Sequence, residues 1–369
     1  MQMITWVILP VLCVIAVAVY LYRKVKAAVK CFLPAYSLKR QRIFAGIISL
    51  LLIIPAVRIY GMWFIILLHF TVFLLLLDAV VFLIKKLKKQ NQLTGLWNKI
   101  YRSGVIAILL TAVLIGYGRY NIFHVVRTEY NIQTQKNIRE EGYRIVLLSD
   151  LHYGVSMNDN NLQDVVNRIS AEQADIVVLD GDIVDENTTS EQMQSAFRIL
   201  GQADSTYGVY YVYGKNNYAA KPNYSAEEME DTITQAGIQI LEDETTVINQ
   251  EIALIGRADR GGRNAKRKDI SSLVKELNPE QEWIVLDHQP SEYKKAENTG
   301  CDMILSGHTH AGQIWPVGLF ASLFHFDELN YGEQKQGNLD AIVTSGIAGW
   351  GYPIRTEKHS EYVVVNLIS

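Results

Sequence analysis

The stretch YRIVLLSDLH, residues 143–152, decides how the second part of this 369-residue chain folds. Its apolar run predicts a buried strand, and Asp150 and His152 follow at the carboxyl end of that strand. The same arrangement recurs in DIVVLDGD, residues 175–182, and in MILSGH, residues 303–308. Strands that end in potential metal ligands therefore organise this part of the sequence.

Helix-like stretches separate the predicted strands. NLQDVVNRIS, residues 161–170, follows the first strand, and SEQMQSAFRILGQA, residues 190–203, follows the second. This alternation predicts a layered α/β domain over residues 143–369 with partly parallel sheets. In such a domain, polar residues beyond the carboxyl ends of the strands converge on one site. Further apolar runs occupy residues 208–214, 252–257, 283–288, 341–346 and 361–367.

Charge is distributed unevenly along the chain. Residues 1–119 contain 15 Lys and Arg but a single acid, Asp78, whereas residues 120–369 contain 20 Lys and Arg and 37 Asp and Glu. The balances of +14 and −17 together give the net charge of −3. The acidic second part would repel phosphate backbones, which argues against nucleic acid as a partner. The three cysteines include no CxxC pair, so neither a disulfide framework nor a cysteine zinc site is expected.

Residues 1–119 are predicted to form an all-helical transmembrane domain of about four spans, because apolar runs lie near residues 4–22, 43–60, 62–84 and 103–118. We expect residues 120–142 to be a linker and the entry to the second domain, and Asp78 to pair with a lysine. The loops over residues 23–42 and 85–102 hold seven and six Lys and Arg, and basic loops stay in the cytoplasm. The sequence thus predicts a multi-pass cell-membrane protein whose second domain is extracytoplasmic.

Asp and His residues cluster behind the predicted strands. Any one of their short motifs also has a structural interpretation, such as a turn or a helix cap. Several buried carboxylates and four imidazoles in one place need charge compensation, which divalent metals provide. The shared position at strand ends therefore favours a metal centre. The residues are Asp150, His152, Asp182, Asp185, Asp287, His288, His308 and His310.

These motifs and their order resemble the calcineurin-like metallophosphoesterases, most closely the bacterial membrane-associated branch. The resemblance covers about residues 143–367 and implies a four-layer αββα sandwich with two divalent metal ions. Mn, Fe or Zn suits such a mixture of Asp and His ligands. The motifs are Asp150-Leu-His152, Gly181-Asp182-Ile-Val-Asp185, Asp287-His288-Gln-Pro and Gly307-His308-Thr-His310-Ala-Gly-Gln, with Trp315-Pro316 after the last.

The resemblance also implies a role for each residue. Asp150, His152 and His310 would bind the first metal. His288 and His308 would bind the second, and Asp182 would bind both. Asp185 and Asp287 would orient these ligands. A hydroxide bridging the metals would attack a phosphate ester, which makes Asp182 and His308 part of the catalytic centre.

The stretch YVYGKNNY, residues 211–218, departs from the family pattern. In the family, the third strand ends in Gly-Asn-His-Asp or Gly-Asn-His-Glu, where the Asn binds the second metal and the His assists the leaving group. Here Lys215 and Asn216 take those two positions, followed by Asn217. Lys215 could displace the second metal, or it could act on the phosphate as a general acid. Alternatively, a shift of one residue would let Asn216 supply the missing ligand.

His288 and His308 would serve only the second metal, so we favour a retained centre with altered activity. The alternative is a catalytically silent metal- or phosphate-binding protein. The expected substrate is a phosphate ester, and lipid- or envelope-linked esters are candidates for a membrane protein. Arg355 could clamp the phosphate or pair with a surface acid. The run VGLFASLFHF, residues 317–326, could line a lipid-facing rim, but we expect it to pack beneath a loop.

Overall fold

The computed structural model describes residues 9–59, 61–88, 95–215, 223–260 and 267–369. The chain divides into two compact units, Met1–Tyr117 and Gly118–Ser369. This division lies within two residues of the boundary expected from composition. Each unit has its own architecture.

The described part of the first unit consists of helices joined by short turns. Three of its apolar segments are long enough to cross a membrane: Leu38–Val57, Met62–Leu87 and Val105–Phe123. The first expected span, residues 4–22, begins outside the described residues, so three of about four predicted spans are found in the described part. The helices are α1 (Leu9–Phe32), α2 (Leu38–Ile53), α3 (Met62–Leu87), α4 (Gly95–Ser103) and α5 (Val105–Phe123), whose last turns belong to the second unit.

Asp78 lies within α3, where an unpaired carboxylate would be costly. Its carboxylate forms an ion pair with Lys24. It also accepts hydrogen bonds from the hydroxyls of Tyr101 (2.7 Å) and Tyr20 (3.0 Å). The predicted lysine partner is confirmed, and Asp78 ties three helices of the unit together.

The second unit contains two six-stranded sheets. The strand order of the first is β1 (Val125–Gln133), β12 (Ser360–Ile368), β2 (Tyr143–Leu148), β3 (Ile176–Asp180), β4 (Val209–Val212) and β5 (Ile238–Ile240). The strand order of the second is β10 (Gly332–Gln336), β11 (Leu339–Val343), β9 (Met303–Ser306), β8 (Glu282–Leu286), β7 (Ile252–Gly256) and β6 (Glu244–Ile248).

Apolar side chains alternate between two cores. In β2, Ile145 and Leu147 point between the sheets and pack in one cluster with Leu286 and Leu305 of the second sheet. The alternate residues of each strand point to the other face and pack against the outer helices, as expected for central strands buried on both faces. The helices α6 (Asp159–Ala171), α7 (Ser190–Leu200) and α8 (Ala226–Gln235) cover the first sheet, and α9 (Ile270–Leu273) and α10 (Tyr293–Asn298) cover the second. The predicted αββα sandwich is confirmed.

The segment expected to be a linker and the entry to the second domain, residues 120–142, contains strand β1. It pairs in parallel with β12, with Val125 opposite Ser360. The segment does not resemble a buried strand in sequence because β1 is an edge strand with polar residues on its solvent side. Two of these, Arg127 and Glu129, form an ion pair at 2.7 Å. Strand pairing therefore begins before the first motif.

Truncation of a side chain between the sheets should destabilise the domain. Ile145→Ala removes a fully buried side chain and should lower the free energy of unfolding by about 2–5 kcal/mol. Ile368→Ala is the matched control, because Ile368 is 43% exposed on the same sheet, and should cost about 0.5 kcal/mol or less. Chemical denaturation of the solubilised protein, followed by circular dichroism, measures both. Equal losses would contradict the assigned core.

Candidate metal centre

The six predicted metal ligands meet at one end of the two sheets. They form two groups, within each of which one ligand atom per residue lies within 4.8 Å of the others. The strands explain this convergence, because β2 runs parallel to β3 and β8 runs parallel to β9, so that each pair ends at one edge of its sheet. The first group is Asp150, His152 and His310, and the second is Asp182, His288 and His308.

In the first group the donor atoms face one another across short gaps. Asp150 Oδ1 lies 3.3 Å from His310 Nε2 and 3.8 Å from His152 Nε2. The two imidazole Nε2 atoms are 3.2 Å apart. Ligands that each lie about 2.0–2.2 Å from one cation are themselves about 3–3.5 Å apart. The spacing therefore fits a small divalent metal.

Asp182 lies where the two groups meet. Its Oδ2 is 3.3 Å from His288 Nε2 of its own group and 3.9 Å from His152 Nε2 of the other. His288 and His308 are neighbours, with ring centroids 5.3 Å apart. A carboxylate that faces ligands of both groups has the position a bridging ligand needs.

Two buried atoms that could bind a metal, Asp150 Oδ1 and His288 Nε2, form no hydrogen bond with the described residues. Asp150 Oδ2 accepts hydrogen bonds from the Ser149 hydroxyl (2.6 Å) and from the backbone N–H of His308 (2.9 Å), whereas Oδ1 accepts none from the described residues. His288 Nδ1 donates to the Asp180 carbonyl at 2.7 Å. That bond turns Nε2 toward Asp182 Oδ2, which lies 3.3 Å away. Buried polar atoms without partners are costly, and a bound metal would satisfy both.

The carboxylates also control the protonation of the imidazoles. Burial lowers the pKa of His152, but Asp150 and Asp185 outweigh burial and raise it to about 9. Burial lowers the pKa of His310 to about 3, although the charge of Asp150 opposes this shift. At neutral pH, and without a metal, His152 therefore carries a proton and His310 has a free lone pair.

The backbone at the site is strained. Residues with side chains rarely adopt positive φ, and each such residue costs about 1–3 kcal/mol. The ends of β2 and β3 hold these conformations through backbone bonds, from Asp150 N to Gly181 O (3.1 Å) and from His152 N to Asp182 O (3.0 Å). The φ angles are 55° at Asp150, 41° at His152, 50° at Asp182, 71° at His308 and 51° at His310.

The two predicted supporting carboxylates lie in different environments. Asp185 Oδ2 is 3.4 Å from His152 Nδ1, so it faces the ring nitrogen opposite the metal group. Asp287 instead accepts hydrogen bonds from Arg267 (2.9 and 3.0 Å) and from the buried Arg257 (3.4 Å). Asp287 therefore fixes the end of β8 through an ion-pair network.

Arg355 has neither of the roles expected from sequence. The side chain is fully buried, so it neither clamps a phosphate nor pairs with a surface acid. Its guanidinium donates to the backbone carbonyls of His310 (2.8 Å), Ser345 (2.8 Å) and Ala348. The turns around His310 expose carbonyls that helices and strands cannot satisfy, and Arg355 satisfies three of them.

The stretch after β4 approaches the site directly. Gly214 is required there, because a Cβ at this position would collide with Asp182 Oδ1. The next side chain, Lys215, is exposed, whereas the ligands of the second group are buried or half-buried. Asn216 and Asn217 lie outside the described residues, so their predicted roles stay predictions.

Several contributors escape sequence reasoning. Ser149 and the backbone carbonyl of Asp180 hold Asp150 and His288, but a serine or a carbonyl carries no motif. Asp327, after the apolar run, is half-buried and interacts electrostatically with His308. The burial of Arg257 beside Asp287 also has no signal in the sequence.

Metal binding should release protons. His152 is protonated below about pH 9 without a metal and must lose that proton to become a ligand. Affinity for Mn²⁺ should therefore rise with pH, by about tenfold per unit for each proton released below pH 9. Titration calorimetry at pH 7, in two buffers of different ionisation enthalpy, should give different heats. Identical heats would contradict this assignment.

Comparisons with known proteins agree with the geometry. Residues 143–312 match the model of the calcineurin-like phosphoesterase family. A Helicobacter pylori protein described as an uncharacterized metallophosphoesterase is 30% identical over 228 residues, which cover 61% of this chain and 60% of that protein. A Danio rerio transmembrane protein with a metallophosphoesterase domain is 29% identical over 285 residues, covering 73% and 63%.

A Chlamydia trachomatis protein named as a UDP-2,3-diacylglucosamine pyrophosphatase is 27% identical over 256 residues, covering 57% of this chain and 77% of that protein. The chain spans about 60% of the length of the Helicobacter relative. Residues 143–312 form a calcineurin-like metallophosphoesterase domain, whose homologues include bacterial metallophosphoesterases and transmembrane proteins with the same domain.

Proposed function

We propose that this chain is a membrane-anchored phosphoesterase that hydrolyses phosphate esters with two divalent metal ions, Mn, Fe or Zn. The observation that carries the proposal is the pair of ligand groups that meet at Asp182. Such mixed Asp and His donors suit these metals. A structural ion pair would not require four imidazoles with nitrogens facing the same two carboxylates.

Each residue has a defined task in this proposal. Asp150, His152 and His310 would hold one metal, His288 and His308 the other, and Asp182 both. Two such ions, when bound, lower the pKa of a water and neutralise charge on a phosphoryl group. His308 is the partly exposed member of its group, so it lies where a phosphate ester can reach the centre. Asp185 keeps His152 oriented.

We expect the departure from the family pattern at Lys215 and Asn216 to affect the rate of hydrolysis more than metal binding. His288 is fixed by the Asp180 carbonyl and points Nε2 at Asp182, which is the arrangement that a ligand of the second metal needs. Lys215 is exposed beside Gly214 and is available to an incoming phosphate. Loss of one general acid typically lowers a rate by about 10²–10⁴. We therefore expect a slow enzyme, or one that prefers good leaving groups. The catalytically silent protein stays the alternative, because Lys215 takes the position of the amide that binds the second metal in the family.

The substrate and the side of the membrane are further parts of the proposal. The basic loops between the apolar helices favour an extracytoplasmic domain. The relative named as a diacylglucosamine pyrophosphatase supports a lipid-linked phosphate ester as the substrate class. Membrane anchoring keeps the domain close to such substrates.

Removal of the shared carboxylate should abolish turnover. With Mn²⁺ and bis-p-nitrophenyl phosphate, Asp182→Asn should lower kcat/KM by at least about 100-fold, because both metals lose a ligand. The control is Asp164→Asn, the same change at an exposed position on α6, which should keep full activity. If the unmodified protein shows no turnover with Mn²⁺, Fe²⁺ or Zn²⁺, the silent alternative is correct.

The side of the membrane can be tested separately. Alkaline phosphatase folds only outside the cytoplasm, so its fusion after Ser369 in a bacterial host should be active. A green fluorescent protein fused at the same position and exported unfolded should be dark. If the green fluorescent protein fusion is fluorescent and the alkaline phosphatase fusion is inactive, the domain lies in the cytoplasm and the topology predicted from the basic loops is wrong.

A further inference from the structure

The apolar run after the metal site is exposed, so the expectation that it packs beneath a loop is wrong. It forms helix α11 (Val317–Phe324) and the residues that follow. Leu323, Phe324 and Phe326 are 64%, 62% and 69% exposed. We give the name α11 patch to the exposed leucine and phenylalanine side chains of this segment, which are Leu319, Phe320, Leu323, Phe324 and Phe326.

Small residues on the inner face of α11 explain why the large ones point outward. Gly318 and Ala321 are the buried residues of the helix. A Cβ on Gly318 would lie 2.6 Å from the Ala311 carbonyl oxygen, and one on Gly312 would collide with Gly318. The helix therefore rests directly on the turn that carries His310. This is the reverse of an ordinary surface helix, which buries its large apolar side chains.

A single loop, residues 353–358, supports both the α11 patch and the end of α5. On one side, Trp315 N donates to Thr356 Oγ1 (2.9 Å), and Gly318 N donates to Glu357 Oε2 (2.8 Å). This loop thus fixes the start of α11.

On its other side, the same loop binds the last turns of α5, which belong to the second unit. Arg355 N donates to Gly118 O (3.0 Å), and Asn121 Nδ2 donates to Arg355 O (3.1 Å). Arg119 donates to the Pro353 carbonyl at 3.1 Å. Since α5 is long and apolar enough to cross a membrane, the patch and the exit of a membrane helix share one support.

The end of α5 has the composition of a membrane interface. Tyr120 and Phe123 are 61% and 40% exposed, and the Arg119 guanidinium lies 4.2 Å from the Phe123 ring centroid. Aromatic and basic side chains concentrate at the headgroup level of a bilayer. Only His124 separates the end of α5 from the start of β1.

We propose that the α11 patch inserts into the bilayer that α5 crosses, at the boundary between headgroups and acyl chains. Soluble surfaces rarely expose so many large apolar side chains together, and a bilayer would cover them. Insertion itself is independent of turnover. One consequence rests on the proposed function: because α11 sits on the turn of His310, the site would receive phosphate esters whose headgroups lie at the membrane surface.

Depth-dependent quenching tests insertion in the full chain, reconstituted in lipid nanodiscs. The three cysteines are replaced by Ala, and an NBD fluorophore is attached through Phe324→Cys. Lipids with a nitroxide near the headgroup should quench this probe at least about twofold more than one attached through Lys294→Cys, an exposed site on α10. Equal quenching at both positions overturns the proposal.

A second pair of variants separates insertion from simple proximity to the membrane. In the protein labelled at position 324, Leu323→Asp should reduce quenching to the level of the α10 probe. Val247→Asp is the matched control, because Val247 is 45% exposed on β6, and should leave quenching unchanged. If Leu323→Asp has no effect on quenching, the patch is not a membrane surface. The same conclusion follows if a second copy of the chain can be crosslinked to the patch and shields the probe from the nitroxide lipids. Circular dichroism of each variant confirms that the domain is folded.

Discussion

Asp150 and Asp182 hold two carboxylates out of water at the ends of β2 and β3, within 4 Å of imidazole nitrogens. Burying such charges costs several kcal/mol for each ion unless cations compensate them. Without a metal, the compensation comes from protons on His152 and His288, whose pKa values lie above the usual one. In the proposed function, the same groups would bind a divalent metal once those protons leave. The demand for positive charge therefore links the fold to the proposed chemistry.

The sheets make this arrangement possible because they can hold strained turns. Their central strands are buried on both faces, and the turns beyond them carry ligands with positive φ. Many of the groups that fix these turns are backbone atoms. The carbonyl of Asp180 orients His288, and Arg355 gathers the carbonyls around His310. A site held by so many backbone hydrogen bonds suits the proposed centre, which would place two ions close together.

The sequence predicts those parts of the structure that repeat a simple rule. Buried central strands appear as apolar runs, and strand ends collect the ligands, so Asp150 through His310 could be placed in one site. Edge strand β1 escaped because its polar face hides the pattern. The role of Arg355 escaped because burial of a guanidinium depends on carbonyls that only the folded turns expose. The outward orientation of α11 depends on the close approach of Gly312 and Gly318, which no periodicity reveals.

The sequence argues against a second metal, whereas the fold argues for one. The resemblance in sequence places Lys215 where the family has an amide ligand, yet His288 and His308 lie around Asp182 as ligands would. The most direct measurement is electron paramagnetic resonance of the purified full chain loaded with two equivalents of Mn²⁺. Two ions about 3.5–4 Å apart should give the spectrum of an exchange-coupled pair. A spectrum of isolated Mn²⁺, with one equivalent or less bound per chain, would contradict a two-metal centre.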